Sequence, residues 1–236
     1  MSHRIHNKPK TSTKLKHTNK EDLMVTAFHE AGHTLADWFC QELLWFDEVT
    51  IRPDNVYLGH LETDDNRNIL INIFSSYTRV SKPPLMRCLI FDLAGPYAEN
   101  MVTTKDPAWF RKGMAEERNR DVSDYYRAAE LVKSIFHNPA RENQILKKAA
   151  RWTQELLNRP EMWKIVKDLA TALIKKRGVL NKKQVLKIIS TTWKDMTVGP
   201  YLEIGSKWRR RLHISDEALY ATQINGRKEA KVTTTK

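Results

Sequence analysis

Apolar residues recur every three or four positions along most of the chain, and that period predicts helices. Over about Glu21–Leu44, Met24, Phe28, Ala31, Leu35 and Trp38 share one helical face. Thr18-Asn19-Lys20-Glu21 just before it reads as a capping box, in which a hydroxyl and a carboxylate serve the first free backbone N–H groups. Two shorter runs, Glu48–Arg52 and Val56–Glu62, read as strands joined by Pro53-Asp54-Asn55, a turn by its residues. A second helix over Asn66–Val80 is expected to end before Lys82-Pro83-Pro84, because a proline pushes the preceding residue out of the helical region. Leu85–Val102 predicts a third, strongly apolar helix. Residues 103–118, with Asp106-Pro107 and many charges, predict a loop. Four further helical patterns over 121–137, 140–158, 161–177 and 181–193 are separated by Asn138-Pro139, Arg159-Pro160 and Arg177-Gly178. The expected fold is mostly α with a small β-sheet.

Charge divides the chain further. Of the formal net charge of +12, six units come from Arg4, Lys8, Lys10, Lys14, Lys16 and Lys20, with no acid among them. Residues 1–20 therefore read as a basic disordered tail, 21–193 as the folded domain, 194–225 as an extension and 226–236 as a polar tail. Such a tail could tether the chain to nucleic acid or an anionic surface, but without interleaved aromatics it is not a base-stacking platform. The longest uncharged stretch, Asn68–Thr78, is 11 residues, too short to span a bilayer. No apolar run follows the basic start, so a secretory signal is not expected and the location predicted is cytoplasmic. Cys40 and Cys88, far apart, leave neither a disulfide framework nor a cysteine-built zinc site; both read as buried thiols. Trp38, Trp152, Trp163 and Trp193 read as helix-packing residues.

The chemistry concentrates in His29-Glu30-Ala31-Gly32-His33, inside the first helix. Two His at i and i+4 project from one face, close enough to chelate one ion. At 100° per residue they point about 120–180° from the Met24/Phe28/Leu35 stripe, so the imidazoles meet something other than that stripe's partner. Glu30 is rotated away from a ligand position but can reach a metal-held water. That is the zincin arrangement, with two His on zinc and Glu as general base. Gly32 costs about 1 kcal/mol against Ala in a helix, a cost that makes sense if another backbone must come close. A third protein ligand is required, with an open position for water. Ala36 and Phe39 stand where a short-range third His would be, so it must come from farther along; Glu99, Asp121, Asp124 and His60 are the candidates.

Thr26-Ala27-Phe28-His29-Glu30-Ala31-Gly32-His33 resembles the peptidase domain of the FtsH-type zinc metallopeptidases. Val49-Thr50-Ile51-Arg52-Pro53 followed by Leu58-Gly59 resembles that family's strand and Leu-Gly segment, and Leu93-Ala94-Gly95-Pro96-Tyr97-Ala98-Glu99 its Leu-Gly-Gly-Arg-Ala-Ala-Glu helix. Ser123-Asp124 with Ala128 resembles the Asn-Asp helix, whose aspartate is the family's third zinc ligand; Leu156-Leu157-Asn158-Arg159 and the Leu-rich stretch to Ile189 resemble its last helices. The resemblance implies a zincin-like helical domain with His29, His33 and Asp124 on Zn²⁺ and Glu30 as base. Asp124 also shares a helical stripe with Ala128, Leu131 and Ile135, where an ionised carboxylate is costly unless paired or on a metal. Asp121 is expected to be that helix's N-cap, and in the family Glu99 is not a ligand. Thr34, Ala94 and Pro96 depart from the family pattern, and residues 105–120 are an insertion.

The activity implied is hydrolysis of peptide bonds in unfolded or flexible proteins, an extended substrate pairing with the edge near Val56–Glu62, where Gly59 and His60 are the candidate substrate-binding residues. The family's ATPase domain and membrane helices have no counterpart here, and no GxxxxGK[ST] loop occurs. ATP-independent cleavage is therefore expected, with a separate ATPase partner or a homo-oligomer as further expectations. Two alternatives stand beside it. One is a regulatory metallopeptidase of the ImmA/IrrE kind acting on a repressor, with Glu99 as ligand. The other is a non-catalytic zinc-containing binding module, which the intact Glu30 argues against.

Overall fold

The computed structural model describes residues 20–40, 46–53, 59–63, 82–116, 123–176 and 178–195. Within them lie seven helices: α1 (Lys20–Cys40), α2 (Lys82–Val102), α3 (Trp109–Glu116), α4 (Asp124–Phe136), α5 (Pro139–Leu157), α6 (Pro160–Lys175) and α7 (Lys182–Asp195). Three strands, β1 (Phe46–Thr50), β2 (His60–Thr63) and β3 (Val179–Asn181), form one small sheet. The mostly α expectation agrees with this architecture. The expected Asn66–Val80 helix, the Thr18 capping box and both chain tails lie outside the described residues. Among the described residues, no helix is long and apolar enough to cross a membrane.

α1 and α2 are the centre of the molecule. From Thr26 to Phe39 only Phe28 and His29 escape full burial, so α1 is enclosed on nearly all sides rather than along one stripe. Met24, placed on the apolar face by its spacing, is 37% exposed, because burial begins only after the first turns. Phe28 stacks on Trp163 of α6, ring centres 5.6 Å apart. Trp38 and Trp152 are buried, whereas Cys88 is only half-buried. Against α2, Gly32 removes a side chain that would hold the two helices apart. A Cβ at Gly32 would sit 2.5 Å from the Ala94 carbonyl oxygen and 2.8 Å from Ala98 Cβ. Gly32→Ala should therefore lower stability by about 1–3 kcal/mol despite the better helix propensity of alanine. Chemical denaturation of the metal-free protein is the measurement, and an unchanged midpoint would contradict the close approach.

α2, α3 and β3 differ from the sequence expectation, each for a local reason. α2 begins at Lys82, ahead of the two prolines, because the N–H groups they lack have no helical partner in a first turn anyway. α3 occupies part of what reads as a loop over 103–118. Asp106-Pro107 is a helix start rather than a break: Asp106 Oδ1 accepts from Ala108 N at 2.8 Å, and its carbonyl from Trp109 N at 3.1 Å. Trp109 then buries against Tyr97 and Tyr125, and Gly113 admits the Tyr125 ring, so the insertion braces α4. β3, three residues long, carries too little sequence to show a period.

β1 is the central strand, antiparallel to β2 through Thr50↔His60, Val49↔Leu61 and Glu48↔Glu62 and to β3 through Thr50↔Val179 and Val49↔Leu180. It starts at Phe46, two residues earlier than its sequence pattern suggests, with an irregularity between Phe46 and Glu48. Ile51 N donates to the Gly178 carbonyl at 2.7 Å and extends the β1–β3 pairing by one bond. The order β2-β1-β3 leaves β2 at one edge, next to α1.

Candidate metal centre

α1 contributes His29 and His33, one turn apart, and α4 contributes Asp124 from its first turn. Ser123 caps that helix. Its extended backbone (φ −81, ψ 150) turns the chain, and its hydroxyl accepts from Tyr126 N at 3.1 Å. Asp121, expected to be this cap, lies outside the described residues, and the role belongs to Ser123 because the helix starts later than its apolar pattern does. α2 crosses behind the imidazoles at Gly95, where a Cβ would sit 2.6 Å from His33 Cδ2 and 2.8 Å from His29 Nε2. Glycine at 95 is thus a condition for both rings to face the same point.

At that point three atoms converge. His29 Nε2 lies 3.0 Å and His33 Nε2 3.2 Å from Asp124 Oδ2, and the two nitrogens are 3.1 Å apart. The opposite ring nitrogens are committed. His33 Nδ1 donates to the Phe91 carbonyl at 2.8 Å, and His29 Nδ1 donates to Glu99 Oε2 at 3.1 Å. A backbone carbonyl can only accept, so the His33 proton is on Nδ1 and Nε2 carries a lone pair. The Glu99 carboxylate fixes His29 in the same sense. Two ring lone pairs and a carboxylate oxygen then face one another, an arrangement that repels unless a cation joins them. Edges of 3.0–3.2 Å are close to the about 3.4 Å edge of a tetrahedron with metal–ligand bonds of about 2.1 Å. His29, His33 and Asp124 form a group that could hold a metal ion.

The electrostatics point the same way. Burial, reinforced by the nearby His29, pushes the His33 pKa down to about 3, so its imidazole is neutral at physiological pH. Burial also acts downward on His29, but the hydrogen bond to Glu99 and the charges of Glu30 and Glu99 outweigh it and leave its pKa raised. Protonation of His29 at Nε2 and metal binding there therefore compete.

Glu30, one residue along α1 from His29, is 5% exposed. Its charge reaches both imidazoles. A Cβ at Gly59 would meet Glu30 Cγ at 3.0 Å and the Thr50 carbonyl oxygen at 2.9 Å, so Gly59 lies against the Glu30 side chain. His60 follows as the first residue of β2, opposite Thr50; its side chain is outside what is described. Glu99, a ligand candidate on sequence grounds, hydrogen-bonds instead to the far nitrogen of His29. The surrounding partners were not legible in the sequence. The Phe91 carbonyl has no side-chain signature, and Arg127, which donates to Asp124 Oδ1, is marked only by standing at i+3. The chain matches no protein-family model, and no curated protein is significantly similar to it.

Proposed function

We propose that this chain is a zinc-dependent endopeptidase that hydrolyses peptide bonds in unfolded or flexible proteins, with Glu30 as general base. The observation that carries the reading is the meeting of three electron-pair donors from α1 and α4, directly beside a buried carboxylate one residue along α1 from His29. Two imidazoles and one carboxylate suit zinc, and three protein donors leave a position open, as catalytic rather than structural sites do. When bound, zinc acidifies water and polarises a scissile carbonyl.

The chain's own residues do the rest. Glu30 takes the proton of the attacking water and passes it to the leaving amine nitrogen. Its burial keeps solvent from competing for that proton. β2, an edge strand, offers backbone N–H and C=O groups to an extended peptide. Gly59, just ahead of β2, lies against the Glu30 side chain and so brings the start of that edge strand close to the base. The zincin-like helical fold and the FtsH-type resemblance are part of the same proposal, and the far-side position of Glu99 gives no support to a ligand set in which Glu99 replaces Asp124. No GxxxxGK[ST] loop lies in these 236 residues, so this chain is proposed to cut without nucleotide, leaving tightly folded substrates intact or to a separate ATPase.

Protein purified without chelator should carry about one zinc per chain, the stoichiometry of a mononuclear catalytic site. It should cleave unfolded casein equally with and without ATP. Chelation should abolish cleavage and added zinc restore it. Substoichiometric metal together with chelator-resistant cleavage would overturn the reading.

A further inference from the structure

Asp124 offers the ligand group one oxygen; its other oxygen is also engaged. Oδ1 accepts from Arg127 Nη2, at i+3 on α4, and Arg127 Nε lies 3.7 Å from Asp92 Oδ1 on α2. Asp92 is 5% and Asp124 7% exposed, so one guanidinium bridges two buried carboxylates on two helices. A planar guanidinium can hydrogen-bond the Asp124 carboxylate while its charge faces Asp92 beyond hydrogen-bond distance, in directions that a lysine ammonium on a flexible stem does not fix.

We infer that Arg127 is a positioning residue. By occupying Oδ1 it confines Asp124 to donating Oδ2, and Asp92 anchors the guanidinium from the opposite side. This rests on the metal-site reading above. A carboxylate free to turn can give a metal both oxygens and close the coordination shell; one held by Arg127 gives a single oxygen and leaves the remaining position open. A cation beside a metal site would ordinarily weaken metal binding, but the Asp92 charge offsets that of Arg127. The pair therefore orients the ligand at little electrostatic cost. A purely structural ion pair between α2 and α4 would need neither Oδ1 of a metal-ligand candidate nor this split of one carboxylate between two partners.

The test compares Arg127→Met, Arg127→Lys and the double variant Arg127→Met/Asp92→Asn, since Arg127→Met alone removes a cation facing the buried Asp92 carboxylate and can fail to fold. Three readouts are taken on each full-length protein: zinc affinity by chelator competition, the visible spectrum of the cobalt-substituted form, and the melting of the metal-free form. The double variant should melt close to wild type and bind zinc about 10–100-fold more weakly, the usual effect of losing a partner that orients a ligand. Its cobalt bands should weaken as the coordination number rises above four. Arg127→Lys should recover affinity only in part. A double variant that is folded and retains wild-type zinc affinity and cobalt bands would overturn the inference, and so would full recovery by lysine. Wild-type protein that binds no zinc would remove this inference and the peptidase proposal together. Zinc binding without casein cleavage would remove the peptidase proposal alone.

Discussion

Glu30→Gln should leave zinc bound and the fold unchanged while cutting peptide hydrolysis by about 10²–10⁴-fold, the usual worth of a positioned acid–base group. The substitution is nearly isosteric, so the packing around a residue that is 5% exposed survives it. Gly59, whose added Cβ would meet Glu30 Cγ at 3.0 Å, touches the part of the side chain that glutamine shares. What is lost is the ability to accept a proton. Zinc content by elemental analysis and cleavage of a fluorogenic peptide, measured on the same preparation, separate the two effects. A variant that cuts at the wild-type rate would show that Glu30 is not the base.

Asp124→Ala should have the largest effect on metal retention. Four-ligand structural zinc sites bind with about 10–16 kcal/mol, so a single ligand is worth roughly 3–4 kcal/mol, or about two to three orders of magnitude in affinity. Activity should fall with zinc occupancy and recover in part at high zinc concentration, because His29 and His33 remain. Arg127 keeps Asp92 as a partner, and the fold should persist. Competition with a chromophoric chelator measures the change, and a loss of less than about tenfold would remove Asp124 from the ligand set.

The helices were legible because their apolar spacing and their stops are local. Pro139 and Pro160 open α5 and α6, close to where the pattern places them. The His pair and Glu30 were legible for a similar reason, since five consecutive residues of one helix fix their relation. Asp124 could be singled out by an apolar stripe and by resemblance, and the structure brings its carboxylate to both imidazoles. What the sequence hides is whatever depends on two distant segments meeting. β3 exists because β1 pairs with it; as an isolated tripeptide it has no period. α3 was masked by an Asp-Pro pair that serves a turn and a helix start equally well. The roles of Phe91, Asp92 and Arg127 arise from the crossing of α2 with α1 and α4, and no residue spacing encodes that crossing. Gly32 is the exception: a glycine in mid-helix announced the close approach, though not its partner, Ala94.

α2 donates nothing to the metal group, yet it orients each donor: the Phe91 carbonyl holds His33, Glu99 holds His29, and Asp92 holds Arg127 and through it Asp124. α1 and α2 are pressed together along backbone at Gly32, so this scaffold is assembled by packing and does not wait for an ion. The binding geometry is then preorganised, and loading an ion has little chain ordering left to do. That separates the molecule from small metal-dependent domains, whose chains collapse into shape only around their zinc. On the proposed reading, metal exchange would be a reversible change of occupant in a standing frame, and the same chain would cycle between loaded and empty without passing through an unfolded state.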